Sequence, residues 1–213
     1  IEFDLFATGH YSIITHDKNT DRYLLKKGVH EGKDQAYFLS MLSQFQLSRI
    51  LFPLGGKTKP EVREIAKNAG LFTTQKRESQ DLCSGDYRAF ISNSKGAGNF
   101  IDKDGTILGL HKGIENYTIG QRRGLGISSN KKPYYVIAIN PDKNEIILGF
   151  NNDLLNKGMI VSDCNWISTP KPKFPITVSA KIRYRDNGAM AELNDGKNGI
   201  VTVIFQEERR AVT

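Results

Sequence analysis

The chain holds only two cysteines, Cys83 and Cys164, in 213 residues. So few thiols exclude a disulfide framework, and their wide separation forms neither a CxxC pair nor a zinc-ligand pattern. No metal site is expected. No apolar run approaches the roughly 20 residues of a membrane span, and no signal-peptide pattern opens the sequence. Internal repeats and low-complexity segments are absent as well. These absences together favour a reducing, cytoplasmic setting without a membrane partner.

What is present describes a folded globular chain, with 38% hydrophobic and 25% charged residues. The length suits one large domain or two small ones. A net charge of +7 favours a polyanionic partner, because phosphate neutralisation by Lys and Arg dominates nucleic-acid affinity. Solubility alone explains the same charge as well.

Phe3 to Ala7 is a short apolar run feeding Thr8-Gly9-His10, the pattern of a buried strand entering a permissive loop. Ligands sit beyond the carboxyl ends of strands in open α/β sheets, so Gly9 and His10 occupy a position where a nucleotide could bind. A plain turn capped by His10 is the competing reading. Tyr11–Thr15 and Tyr23–Lys27 alternate around a polar turn and predict a hairpin. Asp34 reads as the cap of a helix with Tyr37, Phe38 and Met41 on its apolar face. Ser43 with Gln46, and Thr58 with Glu61, read as capping boxes; Pro60 opens the second helix and Gly70 stops it.

After Cys83 the pattern changes to strands. Asn99–Ile101 and Thr106–Leu108 flank a Asp-Gly turn, and six β-rich runs follow Pro133. Such spacing suggests a small antiparallel barrel or sandwich. Between them, Tyr117–Gly126 places glycines at 120, 124 and 126 around Gln121, Arg122 and Arg123. Little side-chain bulk beside two guanidiniums suits close approach to phosphate, although a glycine-rich turn with solvated arginines accounts for it too. Cys83 ends a charged run in which Lys76 and Arg77 could lower a thiol pKa. A small buried hydrophobe is the other reading of such a cysteine.

The run Glu78-Ser79-Gln80-Asp81-Leu82-Cys83 resembles the (D/E)SQ-x-(I/L)-C motif of the bacterial tRNA-specific 2-thiouridylases. Ala7–Tyr11, Lys33–Leu39, Leu51–Gly55, Tyr117–Gly126 and Lys181–Arg185 resemble the same family and follow in its order. The resemblance implies ATP-dependent replacement of the C2 oxygen of the wobble uridine in tRNA by sulfur, drawn from a sulfur-donor protein. It implies that Cys83 is the catalytic, persulfide-bearing cysteine. Gly9 and His10 would contact ATP, with Mg2+. Lys33, Asp34, Gln35, Gln121, Arg122, Arg123, Arg183, Tyr184 and Arg185 would contact tRNA.

The fold expected from it is α/β plus β. Residues 1–76 would be the remnant of an α/β nucleotide-binding domain of the adenine nucleotide alpha-hydrolase type, lacking the family's N-terminal ATP-binding PP-loop segment. Residues 77–128 would form a central α+β domain that binds tRNA and carries Cys83. Residues 129–213 would form an antiparallel β-barrel truncated at its C-terminus. A non-catalytic RNA-binding module derived from the family is the alternative. The sequence does not fix the oligomeric state.

Overall fold

Alternating apolar residues on either side of a polar turn make Ser12–Asp17 (β2) and Arg22–Lys27 (β3) an antiparallel hairpin, with Ser12 opposite Lys27 and Asp17 opposite Arg22. The Asp17 carboxylate stiffens the turn by accepting from Asn19 N–H and the Thr20 hydroxyl. This hairpin belongs to a computed structural model that describes residues 3–71, 95–128 and 132–212. Contacts divide those residues into two units. The first gathers 3–71, 162–176 and 197–200; the second gathers 95–128, 132–161, 177–196 and 201–212.

In the first unit Phe6–Ala7 (β1) pairs in parallel with Ile50–Leu51 (β4), and Thr8 N–H continues the ladder to the Leu51 carbonyl. Both capping boxes form. Ser43 and Gln46 exchange hydrogen bonds at the start of Gln44–Leu47 (α1), whose Leu47 is buried. Thr58 and Glu61 do so before Lys59–Asn68 (α2), which Gly70 terminates at φ 68°. Residues 162–176 are tied to this unit by Arg22, which donates to the carbonyls of Trp166 at 2.6 Å and Ile167 at 2.9 Å.

The helix expected from Asp34 does not form. Glu31–Lys33 make one 3-10 turn, and 36–41 continue as turns. Asp34 does accept from Ala36 N–H as a cap would, yet the same oxygen also takes Gly28 N–H, and Gln35 is drawn onto Tyr11. Fastening to the hairpin outweighs the local helical preference.

The second unit contains two four-stranded sheets. In one, the order is Ile107–His111 (β6), Gly98–Ile101 (β5), Glu145–Gly149 (β8), Tyr135–Asn140 (β7). β5 runs antiparallel to β6 and parallel to β8, and β7 is antiparallel to β8. Phe100, Leu125, Val136, Ile146 and Leu148 form its buried core, each contributing about 1.5–3 kcal/mol by leaving water. His111 is buried beside them. Its Nδ1 accepts Gly113 N–H at 3.0 Å, which leaves the proton on Nε2 facing the Asn144 carbonyl at 3.1 Å.

The other sheet has the order Ile176–Ala180 (β10), Ala189–Asp195 (β11), Val201–Arg210 (β12), Leu155–Val161 (β9). Val201, Val203 and Phe205 alternate inward and face Leu193 and Ala191 on β11. The expected antiparallel barrel is not found. Closure requires every strand to have two neighbours, and β10 and β9 each have one among the described residues, leaving an open sheet. β12 also carries a bulge: it advances five positions from Ile204 to Arg209 while β9 advances two from Gly158 to Asn156.

Candidate nucleic-acid interface

The glycine-spaced loop 117–126 is laid against β7 by two backbone bonds, Gly120 N–H to the Val136 carbonyl and Val136 N–H to the Gln121 carbonyl. Gly120 adopts φ 89°, and a Cβ there would lie 2.9 Å from that of Ala211. Only glycine fits this crossing. Leu125 anchors the far side of the loop in the core. Gln121 does not face outward: Oε1 accepts Thr118 N–H at 3.1 Å and Nε2 donates to the Arg123 carbonyl at 3.0 Å. Arg122 and Arg123 are the exposed charged residues of the segment. A fixed backbone therefore presents two adjacent guanidiniums to solvent.

Arg183 converges on the same loop from another element. Its Nη2 donates to the carbonyls of Ile119 and Ala211, each at 2.9 Å. It follows β10 in a turn closed by Asp186, whose Oδ2 accepts Ile182 N–H at 3.0 Å and whose Oδ1 pairs with Arg209. Tyr184, 48% exposed, and Arg185 lie on the outside of this turn. Arg210 donates from Nε to Asn151 Oδ1 at 2.9 Å, and its guanidinium lies 5.0 Å from the Tyr135 ring centre. Asp186, Asn151, Arg209 and Arg210 were not among the site residues expected from sequence. The basic C-terminal dipeptide was the only signal for them, and their partners lie far along the chain.

The first unit brings the other expected residues together. Gly9 and His10 lie just past the carboxyl end of β1, where Thr8 Oγ1 and His10 Nδ1 are 2.6 Å apart and the His10 ring packs on Phe38 and Phe52. Nearby, Gln35 Oε1 accepts Tyr11 N–H while Gln35 N–H donates to the Tyr11 carbonyl. The Asp34 and Gln35 side chains thus fasten backbone, and Lys33 is half-buried at the end of its 3-10 turn. Cys83 and its motif lie outside the described residues. Cys164 is half-buried; burial, with Asp163 adding to it, pushes its thiol pKa up, so it is held away from the reactive thiolate form.

Three family models match consecutive segments of the chain. The tRNA methyl transferase HUP domain matches residues 1–85, the tRNA methyl transferase PRC-barrel domain 89–150, and the aminomethyltransferase beta-barrel domain 156–213. The chain is further 46% identical over 217 residues to "tRNA-specific 2-thiouridylase MnmA 1" of Clostridium botulinum (strain Loch Maree / Type A3), covering 99% of this chain and 60% of that protein. The "tRNA-specific 2-thiouridylase MnmA 2" of Clostridium tetani is 46% identical over the same shares, and the MnmA of Chlorobium chlorochromatii is 42% identical over 97% of this chain and 60% of its own. Over the stretch it spans, the chain is similar to these proteins. It spans about 60% of the length of these curated relatives.

One expectation is overturned by the first of these matches. The chain was expected to lack the nucleotide-binding segment, but the HUP model covers residues 1–85, so that domain is represented here. The strand pair β1–β4 belongs to it.

Proposed function

We propose that the chain acts within a tRNA 2-thiouridylase, which replaces the C2 oxygen of the wobble uridine with sulfur in an ATP-dependent reaction. The observation that carries this reading is the identity of 42–46% across nearly the whole chain to proteins bearing that name. The geometry supports it. Arg122 and Arg123 are exposed on a braced loop, the form in which guanidiniums grip phosphate with paired hydrogen bonds. Gly9 and His10, at the carboxyl end of a parallel strand pair, fit the place where α/β domains hold nucleotides.

When bound, ATP would supply the leaving group by adenylating the uridine carbonyl oxygen, with Gly9 and His10 as the residues that would hold it. The chain's own part is to position RNA and to carry sulfur. Cys83 would bear the persulfide delivered by a sulfur-donor protein, its terminal sulfur being ionised and nucleophilic near neutral pH. A reducing cytoplasm suits such a thiol.

Cys83→Ser tests the assignment, because serine matches cysteine in size but cannot carry a persulfide. Thiolation of an unmodified tRNA transcript by the full-length variant should be abolished while its tRNA affinity stays within about twofold, ~0.4 kcal/mol. Turnover like the wild type would remove Cys83 from the chemistry.

A further inference from the structure

Thr8 continues the β1–β4 ladder, its N–H donating to the Leu51 carbonyl at 3.0 Å. That bond fixes the backbone from which the Thr8 side chain and, two residues on, His10 emerge. Thr8 Oγ1 and His10 Nδ1 lie 2.6 Å apart. Such a separation is below the usual range of about 2.7–3.2 Å for an N–H donor and inside that of about 2.5–3.0 Å for a hydroxyl donor. The hydroxyl is therefore the donor and Nδ1 the acceptor. A neutral imidazole that accepts at Nδ1 carries its proton on Nε2.

The orientation of the ring is held as firmly as its tautomer. Phe52, which follows β4, meets the His10 ring edge-on with 5.7 Å between centres, and Phe38 lies over it at 6.3 Å with the planes 18° apart. Turning the ring over would disturb both contacts and break the Thr8 bond. Nε2 of His10 makes no hydrogen bond among the described residues, and the side chain is only half-buried. One donor is thus fixed in direction, and no described side chain or carbonyl receives it.

We propose that Thr8 is a positioning residue: its hydroxyl selects the His10 tautomer with the proton on Nε2, so that a neutral imidazole donates to an oxygen of a nucleotide phosphate. This role rests on the nucleotide reading of Gly9 and His10 given above. Thr8 acts through His10 and touches no ligand itself. Without the hydroxyl, either ring nitrogen can hold the proton, and the molecules protonated on Nδ1 turn a lone pair toward an anion. ATP and an RNA backbone both offer a phosphate oxygen, so each is tested separately.

The test compares wild type, Thr8→Val, Thr8→Ser and His10→Gln in the full-length protein. Valine keeps the branched shape of threonine without its hydroxyl, and serine keeps the hydroxyl without the branch. Nitrogen-15 NMR of the imidazole at about pH 8.5, above the ordinary histidine range, reads which nitrogen is protonated. Dissociation constants are measured for a non-hydrolysable ATP analogue with Mg2+ and, apart from it, for an unmodified tRNA transcript. Thr8→Val should mix the tautomers of His10 and weaken the ligand that supplies the phosphate about tenfold, the scale of one hydrogen bond to a charged group. Thr8→Ser should restore both quantities. A loss confined to the ATP analogue assigns the phosphate to ATP, and a loss confined to tRNA assigns it to RNA; either supports the role of Thr8. A wild-type spectrum with the proton on Nδ1 overturns the proposal without any variant. So does an unchanged tautomer in Thr8→Val, or mixed tautomers with both affinities intact, and in these cases a loss of affinity in His10→Gln leaves the nucleotide reading standing. If His10→Gln weakens neither ligand, that reading and the role of Thr8 fall together.

Discussion

Gln121 and Arg123 are joined by a hydrogen bond of 3.0 Å from the Gln121 amide to the Arg123 carbonyl, inside the loop that turns two arginines outward. With the second bond, to Thr118 N–H, the glutamine spends its whole side chain on the shape of its own turn. On the proposed RNA-binding reading, it would act through the arginines it positions.

Gln121→Ala should therefore lower tRNA affinity by about 1–2 kcal/mol, the worth of two hydrogen bonds, without changing the salt slope. Filter binding at several salt concentrations separates the two quantities. A flattened slope would mean that Gln121 itself helps to neutralise phosphate.

Replacing Arg122 and Arg123 together by alanine should weaken tRNA binding about tenfold or more, ~1.4 kcal/mol, and should cost more than the same change at Lys131 and Lys132. The guanidinium pair sits on a braced backbone and can make parallel hydrogen bonds, whereas an ammonium acts as a point charge. Dissociation constants at one fixed salt concentration decide it. Equal or larger loss from the lysine pair would make residues 117–126 a turn rather than a phosphate grip.

Gly98 is pressed against the Asn144 backbone and the His111 ring, so an added Cβ would collide with both. Neither neighbour can yield easily, since His111 is hydrogen-bonded at both nitrogens. Gly98→Ala should destabilise the second unit by about 1–3 kcal/mol. Urea unfolding checks the value; a midpoint like the wild type would show that the start of β5 relaxes freely.

Asp153 accepts from Lys103 Nζ and from Phe150 N–H, each at 2.7 Å. The Lys103 bond first, and then the Phe150 amide, hold its carboxyl below the ordinary carboxylate range. A lowered native pKa adds stability that is complete above that range and is lost as pH falls through the depressed value. The stability difference between wild type and Asp153→Asn should accordingly shrink from pH 6 to pH 3 in urea titrations. A difference that stays constant would assign no linkage to this carboxylate.

Sequence showed the parts of the fold that are decided within a few residues. The Ser43–Gln46 and Thr58–Glu61 boxes join positions three apart, so composition alone reveals them. Asp34 offered the same local chemistry, but its carboxylate was claimed by Gly28 and its neighbour Gln35 by Tyr11, competitors that no short window contains. Strand periodicity was legible through β12, whereas barrel closure depends on the pairing of β9 with β10, which carries no local signature. At the site the same division holds. The glycines around Arg122 and Arg123 advertised an exposed turn, while nothing in Lys181–Arg185 showed that Arg183 would face Ile119 and Ala211.

The bulge in β12 makes the chain's reading frame matter where sequence would suggest latitude. Gln206–Glu208 is polar and exposed, the composition of a stretch that ordinarily tolerates a length change. Yet side chains alternate along this strand, with Phe205 and Ala211 inward and Arg210 outward. Deleting one residue there would carry Arg210 into the place of Arg209, facing Asp186, and break the Asn151 contact; inserting one would carry Arg209 into the place of Arg210. The two arginines are neighbours with the same charge, but the strand gives them different partners, and a single-residue indel would leave one of the two places without an arginine.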